Sequence, residues 1–165
     1  MAGFPFITVR QPRPHDLVDI PVEICGVATG FEGEITARVS DGNGKKLVER
    51  TVRAGGMGIW GNFHKRLPIA ATPQTPDGKL EIFEYSPKDG KEVHKRVVRI
   101  IFGPVLLPNY MGFAQHKVAA GETLKSISKQ WYGKERHSGR ILEANRNQLG
   151  EPPKVAVGQV LRIPQ

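Results

Sequence analysis

Between Ile7 and Phe102 apolar and polar residues alternate in short runs, and no stretch repeats at helical spacing. The runs ITVRQP, PVEICGVA, EGEITARVSD, KKLVERTVRA, FHKRLPIA, KLEIFEYS and HKRVVRIIFG predict seven short strands. In EGEITARVSD, Ile35, Ala37 and Val39 share one face and Glu34, Thr36 and Arg38 the other, so one face is expected inside and one in water. DGNG at 41–44 predicts a hairpin, and the Asp-Gly pairs at Asp77 and Asp89 open or separate later strands, because Gly and Asp tolerate the backbone angles of tight turns. Seven strands with turns every eight to twelve residues predict an antiparallel sandwich, with a small barrel as the competing architecture.

The pattern changes after residue 103. GPVLLPNYMG, with two prolines and two glycines, reads as a linker over 104–113 whose apolar members pack near the domain junction. FAQHK then predicts a strand and Gly121 a turn. Thr123 is placed to cap a helix in which Leu124, Ile127, Ser128 and Trp131 recur on one face, which points Trp131 toward the core. Gly133 stops that helix. Ser138 is placed to cap the next, where Ile141, Leu142 and Ala144 face inward and Asn145 ends the run. A loop and a closing strand around Val160 to Ile163 complete a β-α-α-β order. The expected organisation is an all-β domain over 1–103, a linker over 104–113 and a small α+β domain over 114–165.

Charge adds an anionic partner to the list of classes to weigh. The chain carries a formal +8, with 15 basic against 12 acidic residues before Ala114 and 9 against 4 from there on. HKR at 64–66 and HKRVVR at 94–99 read as alternating strand faces and not as a continuous basic stripe, so a nucleic acid is not expected as partner. Cys25 is the single cysteine, which excludes an internal disulfide; in its strand it is expected to be a small buried hydrophobe. No apolar run is long enough to span a bilayer, and MAGFPFITVRQPRP lacks a secretory pattern. Membrane insertion is therefore not expected. The location follows from the leader: the bacterial cell envelope if one was removed or another export route is used, the cytoplasm or a particle if the chain is complete.

Catalytic chemistry is hard to assemble. His15, His64 and His94 are widely spaced, Asp16 and Asp19 read as solvated turn residues, and DGNGKK lacks the phosphate-loop spacing, so no cofactor or metal is expected. Glu122 with Glu135, Glu143 or Glu151 offers no convincing acid/base pair for glycan hydrolysis. The chain reads as a binding protein and not an enzyme. AGGMGIWGNF, around Met57, Ile59 and Trp60, interrupts the strand pattern with glycines; it is either an exposed recognition loop with an aromatic anchor or a loop that folds Trp60 over one end of the sandwich.

The opening ITVRQPRPHDLVDIPVEICGVATGFEGEITARVSDGNG, the pair Phe31-Glu32 and the closing DGKLEIFEYSPKDGKEVHKRVVRIIF resemble the immunoglobulin-like domain of bacterial sporulation and germination proteins, the Gmad2 type. That likeness implies an accessory module with a protein partner. HKVAAGETLKSISKQWYGKERHSGRILEANRNQ followed by VAVGQVLRIP resembles a LysM domain. That likeness implies noncatalytic binding of N-acetylglucosamine glycans, peptidoglycan or chitin. By the same resemblance Gly121, Glu122, Thr123 and Leu124 form one wall of the glycan groove, and Asn145, Asn147, Pro153, Lys154 and Val155 the other. The sequence departs from the family at RNQLGEPPK and at Ala156-Val157 before the final Gly-Gln. The alternative function is a structural joining component of a phage-like contractile tail or similar assembly.

Overall fold

The computed structural model describes residues 5–165 and divides the chain into two compact units between Phe102 and Gly103. The first unit holds β1 (Ile7–Gln11), β2 (Asp16–Val18), β3 (Val22–Gly30), β4 (Glu34–Asp41), β5 (Lys46–Arg53), β6 (Gly55–Gly56), β7 (Gly61–Leu67), β8 (Asp77–Tyr85) and β9 (Glu92–Phe102). All seven strands expected from alternation are present. The two additions, β2 and β6, have three and two residues and are too short to show a period.

These strands form an immunoglobulin-like sandwich. One sheet runs β2-β9-β8-β4-β5, antiparallel except for the parallel pairing of β2 with β9; in the other, β3 pairs antiparallel with β1 and β7 and parallel with β6. Ile35, Ala37 and Val39 are buried as their alternation requires, together with Val22, Ile24, Phe63, Leu67, Leu80, Ile82, Ile100 and Phe102. Gly26 is required by this packing, since a Cβ there would stand 2.2 Å from the Thr8 carbonyl and 2.6 Å from the Phe63 ring. Asp41 closes the 41–44 hairpin by accepting from the Asn43 and Lys45 amides, and its other oxygen accepts from Gln74 N–H.

The face expected to meet water differs from expectation in two places. Thr36 is buried, and Arg38 is half-buried at the centre of an ionic cluster. Its guanidinium donates to Glu49 at 2.6 Å and Glu92 at 2.6 Å, lies 3.9 Å from Glu81, and sits 4.6 Å above the buried Phe83 ring. Lys79 and Lys95 reach Glu81 at 3.3 and 3.4 Å. A layer of compensated charge over an aromatic ring thus covers this side. Cys25 is a free thiol and half-buried, because it stands on the β3 face opposite Ile24 and not on the core face assigned to it.

The second unit contains α1 (Gly103–Leu106), β10 (Phe113–Lys117), α2 (Leu124–Tyr132), α3 (Ser138–Ala144) and β11 (Val160–Pro164). The segment read as a linker forms the turn α1 and buries Leu106 and Tyr110, while Met111 and Gly112 exchange backbone hydrogen bonds with Gln165. Val118, Ile127, Ile141, Leu149, Leu161 and Ile163 make the core of this unit. Thr123 caps α2, accepting from Ser126 N–H at 3.1 Å while Ser126 Oγ accepts from Thr123 N–H at 2.8 Å. Thr123→Ala is expected to lower the stability of this unit by about 1 kcal/mol, measurable as a lower thermal midpoint.

Two expectations for these helices need correction. Ser138 is not the cap of α3: a 3-10 turn at Glu135–His137 leads into the helix, so Ser138 is already helical and His137 holds the cap position without a side-chain bond. Trp131 is 36% exposed and not a core residue. In the last turn of α2, Tyr132 is the more enclosed ring; its hydroxyl donates to the Pro164 carbonyl, and burial pushes its pKa up to about 12 against the opposing charge of Arg140. Gly133 ends the helix with φ 71°, a conformation suited to glycine.

Candidate functional site

The register of the second unit's sheet brings the two expected groove walls together. Lys117 pairs with Val160, Val118 N–H donates to the Gln159 carbonyl, and Gly158 N–H donates to the Val118 carbonyl. The chain therefore leaves β10 into the 119–123 turn beside the point where the 150–159 loop enters β11. Leu124 and Val155, one from each wall, both pack against the same core cluster. Both walls stand on a common foundation.

The nine candidates divide by exposure. Gly121, Thr123, Asn147, Pro153 and Lys154 are exposed; Leu124 and Val155 are half-buried and anchor their walls. Glu122 is half-buried and turns its carboxylate back on the fold: Oε2 accepts from Ala119 N–H at 2.7 Å and contacts His116 Nε2 at 2.8 Å. Those two bonds, the backbone one first, hold the Glu122 carboxyl below its usual range. Asn147 Oδ1 accepts from Arg162 at 3.0 Å.

Asn145, placed in the second wall by the sequence, is fully buried. Its amide nitrogen donates to the Ile141 and Arg162 carbonyls, each at 2.7 Å, and its oxygen accepts from Arg162 N–H and Gln148 Nε2, each at 2.8 Å. Every bonding position is taken, so the residue pins the end of α3 to β11. Two glutamines absent from the sequence-based set shape the second wall. Gln159 accepts from Ala156 N–H and donates to the Gln148 carbonyl, and Gln148 donates to the Val160 carbonyl.

In the first unit, Met57, Ile59 and Trp60 are 87%, 73% and 40% exposed, so the loop is a projecting one and does not fold Trp60 under cover. A cavity of about 420 Å³ beside it is lined by Phe6, Phe31, Met57, Glu84, Pro87 and His94 among others. Ile59 and Trp60 do not line it. Phe6 and His94 stack there at 3.9 Å, and Glu84 accepts from the Phe31 amide while lying 3.3 Å from His94. Among the described residues no group of three or more His, Cys, Asp or Glu is placed to hold a metal ion, and no helix is long and apolar enough to cross a membrane.

Residues 6–91 match the family model described as the immunoglobulin-like domain of bacterial spore germination, Gmad2. The chain belongs to the Gmad2 family. Residues 116–164 match the LysM domain. Beyond the Gmad2 unit, then, the chain carries a LysM unit, and both are noncatalytic binding modules, the second of the peptidoglycan-binding type. A curated relative, the potassium binding protein Kbp of Escherichia coli O6:H1 (strain CFT073), is 48% identical over 50 residues, 30% of this chain. The match spans about a third of that relative's length, 34%. Among solved structures, CopC from Methylosinus trichosporium OB3b is 14% identical, with 59% of this chain and 91% of CopC covered at a TM-score of 0.38. A likeness that distant bears on neither the binding nor the partner of the Gmad2 unit.

Proposed function

We propose that the protein binds N-acetylglucosamine-containing cell-wall glycan between the 121–124 and 147–155 walls of its LysM unit, while the Gmad2 unit positions that unit on a protein partner. The observation that carries the reading is the LysM match over 116–164, with both walls raised side by side on one core. Sugar hydroxyl and acetamido groups need directional partners along a shallow surface, which exposed turns supply better than a deep apolar pocket. Gly121, Asn147, Pro153 and Lys154 are the contact residues of this proposal; Glu122, Leu124, Asn145 and Val155 hold them in place. A single shallow site binds weakly, so retention on an insoluble polymer gains from attachment to a partner.

The test is co-sedimentation with insoluble peptidoglycan and with chitin at low and physiological salt. Asn147→Ala combined with Lys154→Ala alters the exposed wall without touching the core, and is expected to reduce retention at physiological salt by about tenfold. Retention of wild type and variant alike, or binding that physiological salt abolishes in both, would sink the reading. The projecting Met57, Ile59 and Trp60 loop favours a second reading, a joining component of a multiprotein assembly. There, changes to that loop and not to the LysM walls would disrupt the complex.

A further inference from the structure

The LysM unit contains a hydrogen-bonded chain whose members lie outside its apolar core cluster. Ala114 and His116 of β10 and Val118 just after it alternate toward the helices, opposite Leu161 and Ile163 of β11, and His116 is the polar member. Its Nδ1 accepts from the Trp131 indole N–H at 3.2 Å, and its Nε2 stands 2.8 Å from Glu122 Oε2. The same carboxylate oxygen accepts from Ala119 N–H at 2.7 Å. The rings of His116 and Trp131 meet edge-on, 6.2 Å between centroids, and the imidazole is nearly enclosed with 11% of its side chain exposed.

The direction of this chain follows from chemistry. An indole N–H can only donate, so Nδ1 must accept; a neutral imidazole carries one hydrogen, which is then on Nε2 and points at the carboxylate. Protonation also leaves a hydrogen on Nε2. The donor toward Glu122 is therefore present in either charge state of the ring, provided Trp131 selects the tautomer. Among the described residues the groups bonded to the ring are the Trp131 indole and the Glu122 carboxylate; Leu161 is its cross-strand partner, and Lys117 and Gln115 alternate to the other side.

We propose that His116 and Trp131 are positioning residues for the glycan-binding turn: the indole fixes the imidazole tautomer, Nε2–H holds Glu122, and Glu122 holds the 119–123 backbone through Ala119. The consequence for binding rests on the glycan reading of that turn; the positioning itself does not. It also accounts for an exposed tryptophan whose helical phase places it inward, because its polar edge has a fixed acceptor at the sheet edge.

Two amides distinguish the ring nitrogens. The Gln amide nitrogen reaches the place of Nε2 and the Asn amide nitrogen that of Nδ1, so His116→Gln keeps the donor to Glu122 and His116→Asn loses it. Amide exchange at Ala119 and the nitrogen resonances of His116 in the neutral ring are the readouts, with sedimentation on peptidoglycan alongside. Expected are an unprotonated Nδ1 in the wild type and a mixture of tautomers in Trp131→Phe. Ala119 protection should survive in His116→Gln and be lost in His116→Asn, with about tenfold weaker retention in the Asn variant alone, the loss expected for one charge-assisted hydrogen bond. Equal Ala119 exchange in the Gln and Asn variants, or a neutral wild-type ring protonated at Nδ1, would overturn the proposal. Correct tautomer and exchange with no retention of any variant would instead sink the glycan reading and leave the positioning intact.

Discussion

Asn145→Ala is expected to unfold the LysM unit at temperatures where the Gmad2 unit stays folded. The side chain is fully buried and makes four hydrogen bonds, two of them to the backbone of Arg162 in β11 and one to the Ile141 carbonyl in α3. Truncation leaves these groups without their partner around a fully buried position, at about 1–3 kcal/mol each where water cannot reach. A unit of this size, with no cysteine to form a disulfide, has only about 3–5 kcal/mol of net stability from which to meet that loss. Asn145→Asp separates hydrogen bonding from volume: it keeps the shape but turns an acceptor toward the Ile141 and Arg162 carbonyls, and should be as damaging as Ala. Calorimetry on the full chain should show the transition of the LysM unit lowered by more than about 10 °C or absent, with the Gmad2 transition in place. A variant that melts like the wild type would show that Asn145 does not hold α3 to β11.

Arg38→Met has the largest expected effect on the Gmad2 unit. Methionine fills much of the volume over Phe83 but leaves Glu49, Glu81 and Glu92 without the cation that they share. Removing one partner of a fully enclosed pair costs about 3–5 kcal/mol, and the partial exposure of this cluster reduces that to about 2–3 kcal/mol. The pH dependence has a definite sign. The Arg38 guanidinium holds the Glu49 carboxyl below its usual range, and Lys95 followed by Arg38 does the same for Glu92. Carboxyls depressed in the folded state stabilise it fully above their unfolded pKa and lose that contribution as pH falls through the folded value. Acidification below the ordinary carboxylate range should therefore destabilise the wild-type Gmad2 unit, and the slope should be flatter in Arg38→Met. Urea midpoints at pH 7 and across the acid range measure both effects; an unchanged slope would show that the cluster does not set the acid response.

How far the sequence spoke depended on whether a residue obeyed a period. Seven strands of the Gmad2 unit were legible because Ile35, Ala37, Val39 and their counterparts repeat every second position, and the core residue Ile127 followed helical spacing in α2. Short pairings such as β2 and β6 carry too few residues to show a period. Arg38 was expected in water because alternation reports which face a side chain takes, and says nothing of neighbours that neutralise it across the sheet. Trp131 and Asn145 misled in opposite directions. The phase of α2 sends Trp131 inward, but His116 offers its N–H an acceptor at the edge; Asn145 was placed in the glycan wall by the LysM resemblance, and only the distant Arg162 backbone explains its burial. The segments proposed as walls were legible as loops. Their division into exposed and core-packed positions, with Lys154 outside and Val155 on the core, required the packing.

The account turns on where a glycan meets the chain. Titration of soluble N-acetylglucosamine oligomers into isotopically labelled full-length protein, followed by backbone amide resonances, locates that contact directly. The account predicts saturable shifts concentrated at 119–124 and 147–155, with the 55–61 loop of the Gmad2 unit unmoved. No saturable shift at millimolar oligomer, or shifts gathered on the 55–61 loop while both LysM walls stay silent, would contradict it.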